Sequence, residues 1–429
     1  MKTIRRYTNA ADAGYDLSLI EAAGLTGIVT EDLTPRVGSN VASPAILLKV
    51  QDPDAQRAID ILNADANPDS QPAAILPDAP DPIQNSTSSP TLPQSQTFVV
   101  KCPECATKWK LDPQESRQRT FLCTECNTAF PILNISALAG GWIGNGTYPQ
   151  PDWDLLRNYV NQYFSPSEHP LLWLQLALQW TRAIRDVLGP AYIIYESKNF
   201  ILLTAKPSDT ARSLLNDCEE ILIHIRTFLG SLAWHWANGK HLILMFDDLE
   251  LYYGYVAWFY PEEGQFASSG GMFLNRGYCH TVLPPTQYPV RALVHELTHL
   301  SLVRLRIPRW LNEGLAVTTE DAVNGKNSIR WDAELAASHK SHWNTETIQD
   351  FWSGKSFLDP ASSHVSYSLA QILVTNIRED YGNLEDFIKN AKIPDAGDSS
   401  AQAHLGATLS EIASSFLGPG DRTPRLLST

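Results

Sequence analysis

His295-Glu-Leu-Thr-His299 is the segment of this chain whose residue types and spacing come nearest to catalysis. Side chains four apart on a helix share a face, so both imidazoles reach one metal ion. Glu296, one residue past the first imidazole, is placed to work on water at that ion rather than to bind it. Val294, Leu297 and Leu300 are apolar, as a helix crossing a domain interior requires. A second group is Cys102-Pro-Glu-Cys105 and Cys123-Thr-Glu-Cys126, with 17 residues between the pairs. Two residues between cysteines let both sulfurs of a turn face one ion, and two such turns complete a tetrahedral thiolate shell.

Downstream of the histidines runs Pro308-Arg-Trp-Leu-Asn-Glu313-Gly-Leu-Ala-Val-Thr-Thr-Glu320. This stretch resembles the third-ligand helix of gluzincin metallopeptidases, most of all the aminopeptidase N group, where Trp-Leu-Asn-Glu-Gly precedes an aromatic and then Ala. The resemblance implies that Glu313 joins His295 and His299 on a catalytic Zn2+, leaving a fourth position open to water. Only 13 residues separate His299 from Glu313, fewer than in that group and closer to the compact peptidase MA-like gluzincins. Ser269-Gly-Gly-Met-Phe-Leu-Asn275 falls where the aminopeptidases carry an edge strand, yet it has no carboxylate to grip a free amino terminus. An edge strand still pairs with an extended peptide through its main chain. In the mechanism so implied, Glu296 is general base and then general acid, and the oxyanion needs a donor. Tyr367, on the helix expected over 367–382, is the first candidate, since related gluzincins place a Tyr after the third ligand; His364 is the competitor.

The cysteine pairs, with the short alternating segments 98–101, 107–111 and 120–122, resemble a family of small bacterial zinc ribbons over about 35 residues. A closed thiolate site implies a second, structural Zn2+. Asn127 after the last ligand tolerates left-handed backbone; Ala106, its counterpart in the first turn, tolerates it less.

The elements that must carry these groups sort into a multidomain chain. Residues 1–65 read as strands and two helices, 9–23 and 54–63, and resemble a prokaryotic signal-transducing module of ferredoxin-like α/β fold through Glu21-Ala-Ala-Gly-Leu, Ile46-Leu-Leu-Lys-Val and Asp54-Ala-Gln-Arg-Ala-Ile-Asp-Ile-Leu. Residues 66–97 form a Pro-rich linker too poor in apolar surface to offset its ordering entropy. The zinc ribbon follows over 98–133, then a Gly-rich linker over 134–150. Residues 151–420 form the C-terminal α+β, zincin-like metallopeptidase domain. Its helices are expected over 153–164, 171–188, 209–229, 290–305, 309–321, 363–381 and 384–392, with strands over 191–204, 241–247 and within the aromatic stretch 254–283.

The formal charge of −14 disfavours nucleic acid as a partner, despite basic residues around Trp109. No run of about 18 apolar residues exists to span a membrane. The start of the chain lacks a signal peptide's apolar stretch, and paired reduced cysteines point to the cytoplasm. Cys218 and Cys279 read as buried thiols, and His224, His235, His241, His280, His339 and His342 have no spacing that singles them out. The sequence therefore predicts zinc-dependent peptide hydrolysis, with a protein partner for the N-terminal module. The competing reading is an inactive or single-partner metallopeptidase-like scaffold with a regulatory or sensing role.

Overall fold

The structure, a computed structural model, describes residues 1–7, 20, 25–32, 45–66, 98–143, 147–234, 239–260, 270–286, 289–325, 333–359 and 361–426. The chain divides into two compact units, Met1–Ser89 with Thr286–Arg291, and Pro90–Pro285 with Ala292–Thr429. The 9–23 helix (Ile20 apart), the 66–97 linker beyond Ala66 and Gly144 and Gly146 lie outside the described residues.

In the first unit, β1 (Lys2–Tyr7), β2 (Gly27–Asp32) and β3 (Ala45–Val50) form an antiparallel sheet in the order β1-β3-β2. After a 3-10 turn containing Pro53, α1 (Ala55–Ala66) packs Ala55, Ala58 and Leu62 against Leu48 and Val50. That i, i+3, i+7 stripe is what makes the segment a helix on a sheet.

The second unit begins with two hairpins, β4 (Phe98–Lys101) with β5 (Lys108–Leu111) and β6 (Thr120–Leu122) with β7 (Ala129–Pro131). Past them, β8 (Trp142–Ile143) pairs with β9 (Gln150–Pro151). Two helices follow, α2 (Trp153–Tyr163) and α3 (His169–Leu188). The end of the expected ribbon stretch and the first residues of the expected linker are fastened to α3. Gln175 and Gln179, one turn apart and buried, bond the backbone of Pro131, Leu133 and Ile135 at 2.8 to 3.2 Å. Leu133 and Ile135 then join Leu176 and Trp180 in the main core. Burying these four backbone groups required partners of this kind, and the carboxamide supplies both donor and acceptor.

The central sheet has five strands in the order β10-β11-β12-β14-β13: β10 (Ile193–Glu196), β11 (Phe200–Thr204), β12 (His241–Met245), β13 (Met272–Leu274) and β14 (His280–Leu283). β11, β12 and β14 are parallel, with an antiparallel strand on each edge. β11 and β12 are buried at every position, because helices cover both faces. α4 (Ser208–Leu229) makes the crossover from β11 to β12. The strands expected within 254–283 are β13 and β14, while the start of that stretch belongs to a helix, α5 (Leu249–Phe259). Asp248 caps it by accepting from the Leu251 amide at 2.9 Å, and Tyr252, Tyr255, Val256 and Phe259 bury one helical face, outweighing their β propensity.

The rest is helical: α6 (Val290–Leu302), α7 (Arg309–Asn324), α8 (Ala333–His342), α9 (Thr347–Ser353), α10 (Ser363–Asp380), α11 (Leu384–Asn390), α12 (Asp398–Leu405) and α13 (Leu409–Leu417). α8, α9, α12 and α13 were not read from the sequence. Among the described residues no helix is long and apolar enough to cross a membrane.

Candidate metal centres

α6 runs with Leu293, Val294, Leu297 and Leu300 buried, which turns His295 and His299 toward α7. α7 starts at once after Pro308, with its first turns anchored by Trp310, whose indole N–H donates to the Ala396 carbonyl at 2.9 Å. Glu313 comes one turn in. Its Oε2 lies 3.3 Å from Nε2 of His295 and 3.3 Å from Nε2 of His299. All three ligand atoms fall within 4.8 Å of one another. A tetrahedral ion with bonds of about 2.05 Å has edges of about 3.3 Å, so these separations match a common Zn2+-sized centre.

Glu313 Oε2 is buried and makes no hydrogen bond, which is costly for a carboxylate unless a cation is its partner. The three side chains nevertheless keep 13 to 17% exposure, so the centre is reachable. This trio therefore fits a divalent metal.

The other ring nitrogens are held from behind. His295 Nδ1 is 2.6 Å from Glu320 Oε1, and His299 Nδ1 is 3.0 Å from Asn312 Oδ1. Both partners are acceptors, so the proton sits on Nδ1 and Nε2 is left as the donor to metal. The sequence reading assigned no role to Glu320 or Asn312. The signal was present, since Glu320 lies seven residues after Glu313 on the same helical face and Asn312 directly precedes it.

Glu296 is buried beside the trio, and its Oε2 accepts from the Phe273 amide on β13 at 2.6 Å. Burial drives its carboxyl up, the two imidazoles pull it down and Glu313 pushes it up again; the balance is upward. Burial opposes ionisation of Glu313 too, but the imidazoles outweigh it and hold that carboxyl below the usual range. Burial opposes charging of His295 and His299, and the neighbouring carboxylates overcome it and raise both. Metal binding here must displace protons.

Among the described residues β13 is an edge of the sheet, where the resemblance implied an edge strand. Phe273 stands opposite Thr281 in the ladder, yet its N–H points outward to Glu296. The N–H and C=O of one strand residue leave on the same side, so the Phe273 carbonyl faces the open edge too.

Tyr367 comes from α10, which packs closely on α7 because Gly314 has no side chain. A Cβ there would stand 2.6 Å from the Ala370 carbonyl oxygen. The Tyr367 ring lies 6.2 Å from the His295 ring and 5.2 Å from Phe357. Burial, then the charges of Glu313 and Glu296, keep its hydroxyl protonated well above the ordinary phenol range. His364 does not accompany it: that side chain is exposed, and its charge acts on His339 and His342 instead.

At the hairpins, Cys102, Cys105, Cys123 and Cys126 present four sulfurs within 4.8 Å of one another. Cys102 and Cys126 sulfurs are 3.5 Å apart and those of Cys105 and Cys123 3.6 Å, far beyond a disulfide and near the edge of about 3.8 Å for a thiolate tetrahedron. Each turn repeats one construction: Thr107 and Thr128 hydroxyls sit 3.3 Å from the second sulfur, and Ala106 and Asn127 adopt φ of 62° and 56°. Ala106 accepts the strain foreseen for it. Cys218 is buried, while Cys279 is half-buried against Asn275.

Comparison of the chain with protein-family models, curated proteins and solved structures finds no match.

Proposed function

We propose that the chain is a zinc-dependent peptidase of gluzincin type, acting on peptide or protein substrates in the cytoplasm, where paired thiols stay reduced. In this reading the second unit joins a zinc ribbon, with its structural Zn2+, to a zincin-like α+β domain, and the first unit is a ferredoxin-like module that recruits a protein partner. The observation carrying the proposal is the orphaned Glu313 oxygen equidistant from two imidazoles whose far nitrogens are already satisfied.

When bound, the zinc supplies Lewis acidity, polarising a carbonyl and acidifying water. The chain does the rest. Glu296, buried and raised in pKa, takes a proton from the attacking water and returns it to the departing amine. Phe273 N–H fixes the orientation of that carboxylate, and the Phe273 carbonyl offers an extended peptide a main-chain contact. The Tyr367 hydroxyl, protonated and without a protein hydrogen-bond partner among the described residues, is free to donate to the oxyanion.

The test is Glu296→Gln. Zinc content at both centres is expected to persist while cleavage of a mixed peptide library falls by at least about 100-fold. A variant that cleaves as fast as the parent overturns the mechanism, and a zinc-loaded parent that cleaves nothing favours the scaffold reading.

A further inference from the structure

A cavity of about 730 Å3 opens between the first hairpin and the wall made by α3 and β10. Its volume is that of a small-molecule site. Leu178 and Ile194 supply apolar lining, while Lys108, Arg182, Arg185, Asp186 and Glu196 bring charge. Three of these charges are cancelled locally. Arg185 holds Asp186 through two nitrogens at 2.6 and 3.1 Å, and Glu196 is paired with Lys240 at 2.9 Å. Lys108 and Arg182 are left over: among the described residues neither makes a hydrogen bond or an ion pair through its side chain. Lys108 stands exposed on β5, and Arg182 is half-buried on α3. Burial weighs against the Arg182 charge, and the nearby carboxylates of Glu196 and Asp186, each held by another cation, favour it without a direct contact.

We propose that this cavity binds a phosphoryl group, held between the Arg182 fork and the Lys108 ammonium. Lys108 and Arg182 give the cavity two cations with no carboxylate in contact, and the planar fork suits phosphoryl oxygens. The site is separate from the candidate active centre. β10 and β13 are opposite edges of the sheet, four strand spacings or about 19 Å apart, and Glu296 sits against β13. A ligand here would bridge ribbon and larger domain without competing with substrate, so the proposal does not depend on peptidase activity.

Isothermal titration of the zinc-loaded full chain, at fixed ionic strength and neutral pH, tests it with inorganic phosphate, glycerol phosphate, AMP and succinate as probes. Saturable binding of at least one phosphate is expected, weakened at least about tenfold by Arg182→Gln and by Lys108→Gln. Equal affinity for inorganic phosphate and the esters assigns the free ion; a tighter ester assigns a carried phosphoryl group. Lys108 is exposed, so its variant remains informative even where Arg182→Gln fails to fold. No saturable phosphate binding, binding untouched by Lys108→Gln, or succinate binding tighter than every phosphate overturns the proposal.

Discussion

Removing Glu320 is expected to cost the centre its metal before it costs the protein its fold. The carboxylate touches no ion itself; it accepts from His295 Nδ1 at 2.6 Å. A charge-assisted hydrogen bond is worth about 1.5–3 kcal/mol, against about 1 kcal/mol for a neutral one. Asn312, at 3.0 Å from His299, makes the neutral bond. Glu320→Ala should therefore weaken zinc at the two-His, one-Glu centre by about 10- to 100-fold, and Asn312→Ala by only about fivefold. The two centres are separable by cobalt substitution, because thiolate ligands give strong charge-transfer absorption that nitrogen and oxygen ligands lack. Titration with a competing chelator while following each signal yields both affinities. The thiolate signal should be unmoved in both variants. Equal affinities for parent and Glu320→Ala, or a larger loss from Asn312→Ala, would refute the argument that charge behind the imidazole sets metal affinity.

Three further outcomes follow from other parts of the structure. Tyr367→Phe should lower kcat by about 10- to 100-fold with KM little changed, measured on any peptide the parent cleaves; a kcat near that of the parent removes the hydroxyl from the mechanism. Gly314→Ala should destabilise the second unit by about 1–3 kcal/mol in thermal or denaturant unfolding, since the added methyl meets the Ala370 carbonyl oxygen at 2.6 Å and must push α10 from α7. His280 is buried, and burial holds it at about 4; Nδ1 donates to the Tyr278 carbonyl and Nε2 accepts from Tyr255. It stays neutral when folded, whereas the unfolded chain gains a proton below about pH 6.5, so stability contributed here is present above that pH and lost as pH falls toward 4, by up to about 3 kcal/mol. His280→Gln should flatten the acid limb of the stability profile, and an unchanged limb would contradict the assignment.

Much of the metal chemistry was legible because ligand spacing is a local property. His295 and His299 lie on one helix, and each cysteine pair lies in one turn, so helix and turn geometry alone brought them together. Glu313 needed a family resemblance, since nothing in the sequence fixes how α6 crosses α7. The supporting shell was less legible. Glu320 and Asn312 are ordinary polar residues until the crossing aims them at ring nitrogens, and Phe273 acts through its backbone, which no residue type announces. His364 was proposed beside Tyr367 from nearness in the chain, but three residues along α10 turned it to solvent. α5 was hidden because Tyr, Trp and Phe favour strands, and only burial of one face decided for helix. The C-terminal helices α12 and α13 are short and held by packing, where periodicity has little length in which to show.

The grip of Gln175 and Gln179 on residues 131–135 decides where this polypeptide can be cut. A truncation beginning at 151 would remove every side-chain partner of Gln175, leave Gln179 only its bond to the Gln175 carbonyl at 3.2 Å, and bare Leu171, which packs under the hairpins. A buried polar group left unpaired carries a penalty of about 1–3 kcal/mol, a large share of a domain's margin. A fragment meant to isolate the hydrolytic centre should keep the hairpins, starting no later than Phe98.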